Sequence, residues 1–85
     1  MKNAVTAPAI EAKIAGEEFL NPALSPHLTL CALKLQNGFV VIGQSAPADP
    51  ANFDAGLGRQ LARADAIRQI WPLEGYLLRE QLFWG

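Results

Sequence analysis

The dipeptide Asn37-Gly38 constrains this chain more than any other feature of its sequence. It separates two stretches rich in strand formers, His27 to Leu35 and Phe39 to Ser45. Asn-Gly supplies two residues that tolerate positive φ, which a type I′ hairpin turn requires. The alternation then predicts an antiparallel hairpin. Leu28, Leu30 and Ala32 point one way, and Cys31, Leu33 and Leu35 the other. The second strand repeats the pattern, with Phe39 and Val41 on one side and Val40 and Ile42 on the other. Both faces are apolar, whereas an antiparallel pair normally keeps one face wet. A hairpin also leaves two unpaired edges. A second subunit is the simplest cover for what one short chain leaves open.

Size strengthens that expectation. A chain of 85 residues makes one domain, residues 1–85, and buries only a little over about 60% of the surface its unfolded form exposes. Ordering costs roughly 1.5 kcal/mol per residue, which burial at about 25 cal/mol per Å² barely offsets. Cys31 is the single cysteine, so an intrachain disulfide is excluded. His27 and Cys31 are the only soft or borderline metal ligands, against the roughly four that a structural zinc site takes. A partner subunit remains as the source of added stability.

The formal net charge is −1, from seven Lys/Arg and eight Asp/Glu. Duplex DNA binding needs a strongly basic face and is not expected. The chain lacks the pattern of a signal peptide, and its apolar runs fall short of a membrane span. One unpaired cysteine fits a reducing compartment. The expectation is a cytoplasmic protein.

Around the hairpin the reading is helical. Residues 1–7 are small, weakly patterned and expected to fray. Thr6 followed by Pro8 can start a helix, and Ile10, Ile14 and Phe19 continue it, so Pro8 to Leu20 is expected to be an amphipathic helix. Asn21-Pro22 and Ser25-Pro26 make residues 21–26 a loop. After Ser45, a turn-rich connector leads into a longer helix capped by Asp49 or Asn52. Leu57, Leu61, Ala64, Ile67 and Trp71 form its apolar stripe, widened by Ala62, Ala66 and Ile70. Small residues at 62, 64 and 66 would let another element approach, and Gly56 and Gly58 imply close contact at the helix start. Pro72 is expected to end this helix, Leu73-Glu74-Gly75 to turn the chain, and Tyr76 to Trp84 to form a short apolar tail. The fold class is α+β: an N-terminal helix, an antiparallel hairpin, a longer C-terminal helix and a tail, completed by oligomerisation.

No catalytic set assembles from these residues. Cys31 reads as a small buried hydrophobe, His27 as a surface residue where the first strand begins, and Asp49 and Asp54 as helix-start carboxylates. Gly56-Leu57-Gly58 lacks the third glycine of a dinucleotide fingerprint. The start of the long helix is nonetheless open to an anion, because unpaired N–H groups of residues 52–55 would point outward. Arg59 and Arg63 lie one turn apart. They form either a solvated face with acidic partners or a paired guanidinium clamp for phosphate. Phe53 and Tyr76 either fill the core or stack on a base. Trp71 reads as core. Phe83-Trp84 lies where a chain rarely buries aromatics unless something holds it, and its two readings are a loose tail or packing across a subunit boundary.

A block of about fifty residues carries a resemblance as a unit. It contains Leu30-Cys31, Asn37-Gly38-Phe39, Gly43-Gln44-Ser45-Ala46, Asp49-Pro50-Ala51-Asn52-Phe53-Asp54, Gly58 and Ile70-Trp71-Pro72-Leu73-Glu74-Gly75-Tyr76-Leu77. This string resembles a family of small early-region proteins of coliphages, Shigella phages and prophages. Pro47 departs from the pattern, which favours cysteine there. The family is similar in turn to the Thoeris anti-defence sponges. The resemblance implies a phage protein in the host bacterial cytoplasm that sequesters cyclic nucleotide immune signals, cyclic ADP-ribose isomers or cyclic oligonucleotides, without cleaving them. It further implies a homo-oligomer, a dimer or a hexamer built from dimers, with ligands at subunit interfaces and no cofactor. On chemistry, Arg59, Arg63 and the N–H groups around Asn52 would meet phosphates, and Phe53 or Tyr76 would stack on adenine. The alternative is an interaction module for a host protein, acting through the hairpin edge or the Phe83-Trp84 tail.

Overall fold

The computed structural model describes residues 4–85. Residues 1–3 of the segment expected to fray lie outside the described residues. The chain runs α1 (Ala7–Lys13), β1 (Ile14–Leu20), β2 (Thr29–Leu35), β3 (Val40–Ser45), a 3₁₀ turn (Pro50–Asn52) and α2 (Ala55–Trp84). The α+β class is as expected, with a sheet of three antiparallel strands in the order β1-β2-β3.

Thr6 caps α1, its hydroxyl accepting from the Ala9 N–H at 3.3 Å, with Pro8 in the first turn. The expected helix from Pro8 to Leu20 is corrected at Ile14, where the backbone becomes extended. From there the chain pairs with the open side of β2, Glu17 opposite Leu33 and Phe19 opposite Cys31. Ile10 and Phe19 do share one core, but Phe19 reaches it from a strand. A bulge at Ala15 absorbs the change of register between Ile14 and Gly16.

The hairpin stands where Asn37-Gly38 places it, with a different turn. Gly38 N–H donates to the Leu35 carbonyl at 2.9 Å, and Leu35 N–H to the Phe39 carbonyl at 2.7 Å. Among the described residues only Gly38 has positive φ, at 91°. The loop is therefore Gln36-Asn37-Gly38, a tight turn followed by a left-handed glycine that forms a bulge, in place of the two-residue type I′ turn. Asn37 keeps a negative φ and uses its side-chain oxygen to accept the Phe39 N–H at 3.0 Å.

One sheet face is covered by α2. Cys31, Leu33, Leu35 and Val41 meet Ala62, Ala66 and Ile70 there, with Ile10 from α1. The contact is close because Gly43 lies under the helix. A Cβ built on it would fall 2.1 Å from the Ala62 carbonyl oxygen and 2.3 Å from the Ala66 nitrogen. The expected small-residue approach is thus realised at 62 and 66. The expected core stripe is corrected. Leu57 and Leu61 are each 50% exposed and Trp71 is 39% exposed, because the sheet meets the Ala62-Ala66-Ile70 row and leaves the larger side chains beside it.

Helix α2 also covers part of the β3 edge. The Gln44 N–H donates to Asp65 Oδ2 at 3.0 Å, and Gln69 Nε2 donates to the Ile42 carbonyl at 2.6 Å. Pro72 does not end α2, which corrects the expected stop there and the expected turn at Leu73-Glu74-Gly75. Both Pro72 and Arg68, whose carbonyl loses its helical donor, lie on the exposed side, where water can replace the missing bond. Lys13 reaches Glu74 at 3.7 Å beyond the proline. A helix of 30 residues spans about 45 Å, roughly twice a seven-residue strand. It overhangs the sheet and draws the molecule out to 52 × 21 × 16 Å. Among the described residues no element covers the opposite face of the sheet, and Val40 and Ile42 are exposed on it.

Candidate functional site

The connector between β3 and α2 is built by two aspartates, each capping one turn. Asp49 accepts the Ala51 N–H at 3.0 Å and starts the 3₁₀ turn, with Pro50 in its first position. Asp54 accepts the Leu57 N–H at 3.0 Å and starts α2. Both act as helix-start carboxylates, and Asp54 rather than Asn52 or Asp49 caps the long helix. Phe53, held between the two turns, meets His27 edge to face with ring centres 5.1 Å apart.

These residues enclose a recess of about 140 Å³ lined by His27, Pro47, Asn52, Phe53, Leu57 and Gly58 among others. Gly58 is needed there, since a Cβ on it would lie 2.9 Å from Thr29 Oγ1. Gly56 meets only the Asp54 carboxylate, at the ordinary distance of 3.5 Å, so the expected close contact holds for one of the two glycines. The recess is mostly apolar, and its titratable groups are His27 and Asp54. The Asp54 carboxylate already occupies the helix start, where an incoming anion would meet like charge.

Of the five residues read as ligand contacts, Asn52 and Phe53 lie together at this recess. Arg59 is exposed on the second turn of α2, without an ion-pair partner among the described residues. Arg63 is committed elsewhere. Its guanidinium donates to both Glu11 oxygens, at 2.8 and 2.9 Å, and its Nε donates to Glu17. These partners hold Arg63 charged and pull the Glu11 carboxyl below its ordinary value. Two carboxylates around one guanidinium leave a net negative cluster, so a phosphate would have to displace one of them. Tyr76 is 69% exposed and lines a second recess, of about 260 Å³, with Leu35, Phe39, Leu73 and Leu77. It sits 22 residues along from Asp54, about 33 Å up the helix. Phe53 and Tyr76 of one chain therefore cannot grip the same base.

Other sequence readings find clear places. Cys31 is fully buried, and burial pushes its thiol upward. Among the described residues no group of three or more His, Cys, Asp or Glu is arranged to hold a metal ion. Trp84 donates to Glu80 at 2.9 Å and stacks edge to face with Phe83 at 4.8 Å. Sequence reasoning missed Glu11 and Glu17, because their bonds to Arg63 join residues 46 and 52 positions apart. It also missed Asp65 and Gln69, whose partners are backbone groups on a strand.

The family model of the Phage protein (N4 Gp49/phage Sf6 gene 66) family matches residues 5–82. The chain belongs to that family. The match spans α1, the sheet and nearly all of α2, including the proline-bearing part of the helix and every residue of the recess. No curated protein and no solved structure matches the chain. Among the described residues, this phage-family protein has no helix long and apolar enough to cross a membrane.

Proposed function

We propose that this phage-family protein acts by binding rather than by catalysis, as a homo-oligomer in the host cytoplasm that sequesters a cyclic nucleotide signal without cleaving it. The observation that carries the reading is the size of the recess beside Phe53. At about 140 Å³ it accommodates one ring system, whereas sites for whole small molecules run from roughly 300 Å³ upward. A nucleotide held there needs a further wall, and a second copy supplies one without another gene product. The exposed Leu57 and Leu61 beside the recess and the uncovered sheet face support the same association.

Within the site, Phe53 is the surface for a base and Asn52 the hydrogen-bonding partner. Arg59 is the cation for phosphate. Arg63 orders Glu11 and Glu17, and Tyr76 can join a site only from another copy. The experiment is a melting screen against cyclic ADP-ribose isomers and cyclic oligonucleotides, followed by recovery of the ligand from denatured protein. A ligand at 100 times its dissociation constant adds about 2.7 kcal/mol, and it is expected back intact. Recovery of a cleaved product would falsify sequestration and make the protein an enzyme.

A second reading has its own observation. Phe83 and Trp84 are 70% and 76% exposed on the overhanging end of α2, the composition of an interface anchor. In that reading the tail engages a host protein, no nucleotide shifts the melting temperature, and Trp84→Ala abolishes capture of one defined partner.

A further inference from the structure

The uncovered face of the sheet has a simple layout. Strand register places Gly16, Lys34 and Val40 in one row across the three strands. Glu18, Ala32 and Ile42 form the next row, and Leu20, Leu30 and Gln44 the third. A Cβ on Gly16 would lie 3.9 Å from the Lys34 Cβ, which fixes both on the same face. Leu20, Val40 and Ile42 are each about half exposed. Glu18 and Lys34 are the charged residues of this face, and among the described residues neither has an ion-pair partner.

A second copy can meet this face about a two-fold axis in four simple ways, and charge decides among them. An axis along β2 stacks Lys34 on its own copy. An axis across the strands through Ala32 stacks Glu18 on its own copy. One diagonal sets both charges against Leu30 and Ile42. The other diagonal, running from Gly16 through Ala32 to Gln44, exchanges rows and columns and matches everything. Glu18 of each copy then faces Lys34 of the other, Leu20 faces Val40, and Leu30 faces Ile42. Strands lie about 4.8 Å apart and alternate residues about 6.8 Å apart, so this exchange misplaces no position by more than about 3 Å. Near-perpendicular strands are one of the two standard ways sheets pack, and an interface of this kind is self-complementary by symmetry.

We infer that the open sheet face binds the same face of a second copy, crossed at about a right angle, with two reciprocal Glu18–Lys34 pairs setting the orientation. The inference rests on the homo-oligomer reading above and specifies one interface of that assembly, on the side of the sheet away from the recess, which a further contact between copies would close. The face is small, so the association belongs at the weak end of the range for specific contacts.

The test is a charge swap followed by sedimentation equilibrium. Glu18→Lys and Lys34→Glu lie on the solvent side of the sheet and are expected to keep the wild-type circular dichroism and melting temperature. Each variant alone places like charges opposite each other twice, and its self-association is expected to weaken about tenfold or more. An equimolar mixture of the two restores both pairs, so dimers return to the wild-type level and native mass spectrometry finds them to be mixed. Wild-type protein that stays monomeric at several hundred micromolar would overturn this inference and the homo-oligomer reading together. Wild-type protein that associates, with single variants unaffected or a mixture that fails to recover, would overturn only the crossed-face arrangement.

Discussion

A methyl group on Gly43 would sit 2.1 Å from a carbonyl oxygen of α2, well inside contact distance and against backbone that cannot rotate away. Gly43→Ala is therefore expected to force α2 off the sheet and cost about 3 kcal/mol or more. Urea unfolding with an unchanged m-value checks it, and a loss under about 1 kcal/mol would show that the helix can shift. Arg63 supplies a second prediction at this scale. Its bonds lower the Glu11 carboxyl from an ordinary value of 4.5, so the folded state holds that proton less tightly than the unfolded chain. The stability this gives is present above pH 4.5 and is lost as pH falls through the lower folded value. The pair is half exposed, so its worth is at most about 1 kcal/mol. Arg63→Met is expected to flatten the acid limb of stability as pH falls below 4.5, and an unchanged limb would assign it to other groups. The roles of Gly43 and Arg63 were unequally legible. A glycine inside a strand pattern hints at close approach, but nothing local tells Arg63 that its partners lie in α1 and β1.

Elements were legible where local chemistry and tertiary need agreed. Asn37-Gly38 gave the hairpin and Thr6-Pro8 the first helix start, and Asp49 and Asp54 are the helix-start carboxylates expected, although the long helix takes Asp54 as its cap where Asp49 or Asn52 was expected. They were misread where packing overrode propensity. Ile10, Ile14 and Phe19 carry a helical spacing, yet β2 would keep one side unpaired without a third strand, and Ile14 to Leu20 supplies it. Pro72 is a helix breaker by propensity, but α2 is held on both sides of it, by the Ala62-Ala66-Ile70 contact before and by α1 after. The proline is thus a local cost that the rest of the helix offsets. Pro72→Ala is expected to raise stability by about 1–3 kcal/mol and to deepen the helical signal at 222 nm; a fall in melting temperature would mean that the proline shapes a contact the wild-type helix needs.

For the molecule as a whole, the five residues read as one site do not stay together. The recess residues Asn52 and Phe53 are neighbours in sequence and remain so in space. Arg63 and Tyr76 were joined to them only by chemistry, and the length of α2 separates them. The exposed tail follows from the same length. The double substitution Phe83→Ala, Trp84→Ala is expected to change the unfolding free energy of the monomeric protein by no more than about 0.5 kcal/mol. A larger loss at low protein concentration would place the tail in the core, while a loss that appears only at high concentration would place it between copies.

The two bonds from α2 to the β3 edge bear on a matter outside the folded state of one molecule. Under the sequestration proposed above, each copy neutralises a fixed number of molecules and none is turned over, so the protein has to be made in bulk. Crowded chains with a bare strand edge zip together into fibres. With the Gln44 N–H held by Asp65 and the Ile42 carbonyl held by Gln69, α2 blunts that route along the β3 edge, a device that suits a protein made in high copy number.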